Sequence, residues 1–146
     1  MELVEQLNHI FYPRAIAIVG ASNNPQKVGA LCLQSVMEAG FVGEVYPVNP
    51  ALSELRGLKV YPSIGAIPGE VDLAIVVIPA PLTITTIEEC ISKGIKGVVM
   101  ITGGFGETGT ELGADLQAKI RHIADRGGGK SHWPQYYRTG QPRLPP

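Results

Sequence analysis

Four short apolar runs alternate with longer amphipathic stretches along this chain. Ala15–Val19 is an unbroken run of Ala, Ile and Val that ends at Gly20. Glu44–Val48 is a second run, Asp72–Ile78 a third closed by Pro79, and Gly97–Thr102 a fourth closed by Gly103 and Gly104. None of the four alternates strictly between apolar and polar residues. Such runs are what strands look like when helices cover both faces of their sheet. Between them the period changes. Val28, Leu31, Cys32, Ser35, Val36 and Ala39 recur at helical spacing, which predicts a helix over residues 27–39 with Gly40 as its C-terminal cap. Ile84, Ile87, Cys90 and Ile91 predict a helix over 82–93 before Gly94, and Leu112, Leu116, Ile120 and Ile123 predict one over 108–126 before Gly127. Strand and helix in alternation imply an α/β fold, a Rossmann-like doubly wound parallel sheet with right-handed crossovers. Ala51–Pro68 is less regular, and Lys59–Tyr61 is its candidate for a short edge strand.

Gly127–Pro146 breaks the pattern. It has no helical or strand period, is rich in Gly and Pro, and carries Lys130, Arg138 and Arg143 with no acidic residue. A doubly wound sheet should continue there with another apolar strand. The expected division is therefore a domain over 1–126 and an irregular tail over 127–146.

Composition narrows the function. The 146 residues suffice for one domain with its own core. The 45% hydrophobic and 17% charged fractions are those of a folded chain, not a disordered one. A net charge of -1 offers no basic face to nucleic acid. Cys32 and Cys90 stand outside any CxxC or Cys/His ligand spacing, which argues against a disulfide scaffold or a zinc site. No run approaches the roughly 20 apolar residues of a membrane span. The polar, acidic N-terminal stretch does not read as a secretory signal. The cytoplasm is the expected compartment.

Ligands of such sheets bind beyond the carboxyl ends of the strands, near the switch in strand order. The first of those ends is the loop Gly20–Gly29. Gly20 permits a tight turn, Ser22 offers a hydroxyl, and a helix is expected to begin at Pro25 or shortly after. Its free N–H groups and positive dipole end suit a phosphate. Lys27 opposes that dipole by about 0.3–1 kcal/mol unless an anion sits in front of it. The loop lacks GxGxxG, and the second strand ends in Val48-Asn49-Pro50 rather than an acidic residue, so it is not a nicotinamide fingerprint. GxxxxGK[ST] is absent as well.

Pro13–Ser22, Tyr46–Pro50, Asp72–Pro79 and Gly103–Glu107, in that order, resemble the CoA-binding domain of ADP-forming acyl-CoA synthetases, the acetate–CoA ligases related to the succinyl-CoA synthetase α subunit. The resemblance spans roughly residues 7–126. It implies that Gly20, Ala21, Ser22, Pro25 and Lys27 hold CoA phosphates. It implies that Val48, Asn49 and Pro50 flank the nucleotide or pantetheine arm, and that Ile78, Pro79 and Ala80 pack on CoA. Thr102, Gly103 and Gly104 would lie near the pantetheine end. The family reaction converts acyl-CoA, ADP and phosphate to acid, CoA and ATP through an acyl phosphate and a phosphohistidine. The histidine and ATP-grasp domains that serve it have no match in this sequence, so the resemblance implies a CoA-binding module that does not turn over alone, with a separate ligase subunit as a partner. The family continues with a strand and a Gly-Pro-Asn loop. Read one nucleotide out of frame with free wobble choice, Ser131–Pro145 encodes such a strand and loop, so a frameshift from about Gly128 is expected. Codons around 126–131 that cannot encode the strand in another frame would exclude it.

No residue pattern argues for catalysis within the chain. His9, His122 and His132 lie away from the strands' carboxyl ends, and Cys32 and Cys90 fall on apolar helix faces. Glu107 suits a helix start better than a general base. Two alternatives stay open: a stand-alone regulatory CoA-binding protein, and an NAD(P)-binding oxidoreductase or redox-sensing domain. A missing strand would also expose a sheet edge and favour self-association.

Overall fold

The computed structural model describes residues 3–101 and 111–127. The chain enters through α1 (Leu3–Phe11) and turns at Pro13 into β1 (Ala15–Val19), which is buried along its whole length. After α2 (Val28–Glu38) it returns as β2 (Glu44–Val48) beside β1. A small antiparallel ribbon follows, β3 (Glu54–Leu55) with β4 (Leu58–Lys59). Next come β5 (Leu73–Val76), α3 (Thr83–Lys93), β6 (Gly97–Met100) and α4 (Glu111–Gly127). The main sheet is parallel in the order β2-β1-β5-β6.

The unbroken apolar character of β1 has a direct reason. Ala17 and Val19 join a core with Ile87 and Cys90 of α3 and Leu116 of α4. Ile16 and Ile18 join a second core with Leu33 of α2, Leu55 and Val60. Alternate residues serve opposite faces, and both faces are covered. The crossovers through α2 and α3 run in opposite directions from the centre of the sheet and lie on opposite faces, so they share one hand. The doubly wound expectation holds for the described strands.

Several boundaries differ from the sequence expectation. The third and fourth strands stop at Val76 and Met100, before Ile78 and Thr102. Pro79 begins a single 3-10 turn, Ala80–Leu82, before α3 proper. The candidate edge strand at Lys59–Tyr61 is divided. Lys59 pairs with Glu54, whereas Tyr61 forms a parallel bridge to Val48 and prolongs the main sheet by one residue pair. The helix over 27–39 starts at Val28, and its buried stripe is shifted: Cys32 and Val36 pack partly against the core as expected, but they are not its centre. Gly29, Ala30 and Leu33 are buried, whereas Val28 and Leu31 are 46% and 50% exposed. The helix over 108–126 is described from Glu111 onward. α4 runs through Gly127, one residue into the expected tail of 127–146, and residues 128–146 lie outside the described residues.

The lead-in segment forms α1. Its anchor is at the end of the sheet opposite the strands' carboxyl ends. The buried Asp72 carboxylate accepts the Arg14 backbone N–H at 2.8 Å and lies 3.5 Å from His9 Nδ1 of α1. The Asp72 carbonyl also accepts the Lys96 and Gly97 N–H groups at 3.1 and 3.0 Å. One residue thus ties together the start of β1, the start of β6 and α1.

Candidate functional site

The order β2-β1-β5-β6 reverses direction between β1 and β5, and a cleft of about 490 Å³ opens over the carboxyl ends of these strands. Gly20 and Ser22 line it from the end of β1, Asn49 from β2, Val77, Ile78 and Pro79 from β5, and Ile101 from β6. Gln26, Lys27, Val28 and Gly29 close it with the start of α2.

Backbone geometry brings these pieces together. Gly20 has φ +92°, and its N–H donates to the Val48 carbonyl at 3.0 Å. A Cβ on Gly20 would overlap the Val77 carbonyl oxygen, and a Cβ on Gly29 would overlap the carbonyl oxygen of Gly20. The first turn of α2 therefore sits against the β1 loop at a distance that only glycine allows. Between them, Ser22 Oγ accepts the Asn24 N–H and Asn24 Oδ1 accepts the Gln26 N–H, both at 3.0 Å, so the loop is a pair of short side-chain turns.

Lys27 stands at the N-cap of α2 with extended backbone and no side-chain cap. The helix also has no acidic residue in its first turn. Its N-terminal N–H groups therefore face the cleft without a protein carboxylate to neutralise the dipole. Lys27 is the only charged residue among the described lining residues. The floor and far rim are apolar, with Val28 and Ile101 46% and 41% exposed. This combination suits an anionic group joined to an apolar arm: the helix end and lysine meet the charge, and the rim meets the arm.

The expected site residues divide into three groups. Gly20, Ser22, Lys27, Asn49, Ile78 and Pro79 are brought to the cleft. Ala21, Val48 and Ala80 are buried at 0%, 4% and 6% exposure, so their side chains belong to the core, not to the cleft lining. Pro25 and Pro50 also stand outside the lining. Thr102, Gly103 and Gly104 lie outside the described residues, as does Glu107. Gln26, Val28 and Gly29 belong to the loop singled out in the sequence without being expected ligand contacts, and sequence reasoning missed Val77 and Ile101 as lining residues. The available signal was Gly29 itself, a glycine inside the first turn of a helix, where it costs stability unless backbone must approach closely.

Neither thiol is among the described residues that line the cleft. Burial, with Glu89 adding to it, pushes the Cys90 thiol up to about 12, and burial also raises that of Cys32. Both stay protonated near neutral pH and are poor nucleophiles. Cys32 is half-buried rather than fully packed. Among the described residues, no group of His, Cys, Asp and Glu could hold a metal ion, and no helix is long and apolar enough to cross a membrane.

Residues 14–131 match the CoA binding domain family. The ADP-forming acetate–CoA ligase II alpha subunit of Pyrococcus furiosus is 48% identical over 122 residues, which is 84% of this chain and 26% of that protein. The ADP-forming acetate–CoA ligase II of Archaeoglobus fulgidus is 41% identical over 86% of this chain and 18% of its own length. Among solved structures, the dinucleotide-forming acetyl-coenzyme A synthetase 1 of Candidatus Korarchaeum cryptofilum, in complex with phosphate and ADP, superposes with a TM-score of 0.78 at 40% identity. The superposition covers 84% of this chain and 26% of that one. The chain thus spans about a quarter or less of each of these proteins.

Proposed function

Because the chain belongs to the CoA binding domain family, we propose that its cleft is the CoA site, with the phosphates on the Gly20–Gly29 turn and the pantetheine arm along Val28, Ile78, Pro79 and Ile101. The observation that carries this reading is the uncapped N-terminus of α2 with Lys27 beside it, where the other described lining residues are uncharged and largely apolar. Three details support it. The backbone can approach a phosphate closely at Gly20 and Gly29. Lys27 supplies the one positive side chain among the described lining residues. At the end of β2, where nicotinamide sites use an acidic residue for the ribose, this chain has Asn49.

In this reading the chain is the CoA-binding module of an ADP-forming acyl-CoA ligase acting in the cytoplasm. It binds and orients the thioester carrier while acyl-CoA, ADP and phosphate become acid, CoA and ATP in the longer enzyme. Among the described residues no histidine lines the cleft, so phosphoryl transfer is assigned to other parts of that enzyme or to a partner subunit.

Calorimetric titration with CoA, and with NAD as control, tests the assignment. Saturable binding of CoA alone is the expected result, and binding of NAD alone would overturn it. Lys27→Ala should weaken CoA binding by about 1–2 kcal/mol, the size of one charge-assisted contact. Added salt should weaken the wild-type protein more than the variant. An affinity indifferent to the substitution would remove Lys27 from the site.

The proposal includes self-association. β6 is an outer strand of the described main sheet, and a parallel edge invites pairing. Sedimentation should show weight-average mass rising with concentration. A monomer at every concentration would reject this part.

A further inference from the structure

We propose that Asn49 is a positioning residue for the phosphate-binding turn, not a reader of the ligand's ribose. The inference rests on the CoA reading of the cleft and adds a role to one of its walls. Asn49 follows β2, where many nucleotide-binding sheets present a side chain to the ribose. Here that side chain is engaged by the chain itself. Nδ2 donates to the Ala21 carbonyl at 2.9 Å, across the gap between the β1 and β2 loops. Oδ1 accepts the Ala51 N–H at 2.8 Å. The two partners are a carbonyl and an N–H, so only one orientation of the amide satisfies both. The main chain is held as well. The Asn49 N–H donates to the Tyr61 carbonyl at 2.9 Å, and its carbonyl accepts the Leu52 N–H at 3.4 Å.

The consequence falls on the β1 loop. Ala21 stands between Gly20 and Ser22, both of which line the cleft, and its own side chain is fully buried. The Asn49 amide therefore fixes the turn against which Gly29 and the first turn of α2 are stacked. A carboxylate at this position could still accept from Ala51. It would then face the Ala21 carbonyl with an acceptor where a donor is required. In this chain Asn49 favours amide over acid because the loop needs an acceptor and a donor on one short side chain.

Two variants separate the roles. Asn49→Asp loses the donor while charged and regains one when protonated. Asn49→Ser keeps an acceptor close to Ala51 and cannot reach Ala21. CoA affinity is read by calorimetry from pH 7.5 down to 4.5 as a ratio to wild type. Amide hydrogen exchange around residues 20–22 and at Ala51 is read in the ligand-free protein. Both variants should bind CoA roughly tenfold more weakly at pH 7.5, the effect of losing one hydrogen bond. Exchange of the 20–22 segment should rise in both without CoA, and Ala51 should stay protected in Asn49→Ser. The Asn49→Asp deficit should shrink toward low pH while that of Asn49→Ser stays constant. Repulsion between a new carboxylate and the CoA phosphates would also fade at low pH, but it would leave exchange of the 20–22 segment in the ligand-free protein unchanged. Wild-type affinity in Asn49→Asp, a gain of NAD binding, or weakened CoA binding with unchanged exchange would each overturn the positioning role. If wild type itself fails to bind CoA, the ligand reading falls, and the exchange data still decide whether Asn49 holds the loop.

Discussion

Alanine at position 29 is expected to destabilise the protein by about 3 kcal/mol, opposite in sign to the usual effect of the substitution. In a helix, Gly→Ala ordinarily gains about 0.5–1 kcal/mol because alanine loses less backbone freedom on folding. Gly29 is within α2, so propensity alone predicts a gain. The packing reverses it. The new Cβ would overlap the Gly20 carbonyl oxygen, and both sides of that contact are backbone. No side chain can rotate away. Either α2 shifts off the sheet, exposing Ala30 and Leu33, or the β1 loop moves and the cleft loses its phosphate-binding end. Urea denaturation of Gly29→Ala beside Gly65→Ala checks this. Gly65 meets only the Ser63 Oγ, at 4.0 Å, so alanine there should be nearly neutral. Equal midpoints for the two variants would show that the close contact carries no energy. Gly29→Ala should also bind CoA weakly at temperatures where it is folded.

Leu33→Ala should cost about as much, roughly 3 kcal/mol, and should leave the cleft alone. Leu33 is fully buried on the same face of α2, one turn below Gly29, in the core with Ile16, Ile18 and Val60. Truncation removes buried methyl groups and leaves a hole the sheet cannot fill, since β1 is paired on both sides. The expected outcome is a lower denaturation midpoint with an unchanged slope. CoA affinity should stay within about twofold of wild type well below the melting temperature. A large affinity loss would mean that α2 is held in register by its apolar face as much as by the glycine contact. The two variants together separate what stabilises the helix from what places its end.

The strands were legible because burial on two faces leaves little room for polar residues. That pattern survives in Ala15–Val19 whatever the register. Pairing partners were not legible, since parallel order follows from which crossover covers which face. The α2 error has a specific cause. A reading that weights large apolar residues chose Val28 and Leu31, but the tightest contact is made by the smallest residues, Gly29 and Ala30. The apolar residues left over, Val28 and Ile101, are partly exposed at the cleft. For the site, the glycine loop, Lys27 and Pro79 could be read from strand ends alone. Ala21, Val48 and Ala80 could not be separated from them, because neighbours in sequence alternate between cleft and core. The Asn49 bonds to Ala21 and Ala51 were beyond reach for the same reason. They depend on how closely two loops from different strands approach.

The strand order also dictates a sequence of events in time. β1 at the centre can pair early with β2, which follows it after a single helix. Its other partner arrives later, when Ile16 meets Leu73 and Val19 meets Val76. During synthesis from the N-terminus, β1 and β2 emerge with one side of β1 lacking its eventual neighbour, and the cleft has no second wall until β5 has left the ribosome. Nascent chains that stall before that point present an apolar parallel edge to any similar chain nearby. Folding of this protein should therefore be limited by a late, long-range closure, and a coenzyme that bridges the two central strands would act on that step as a latch.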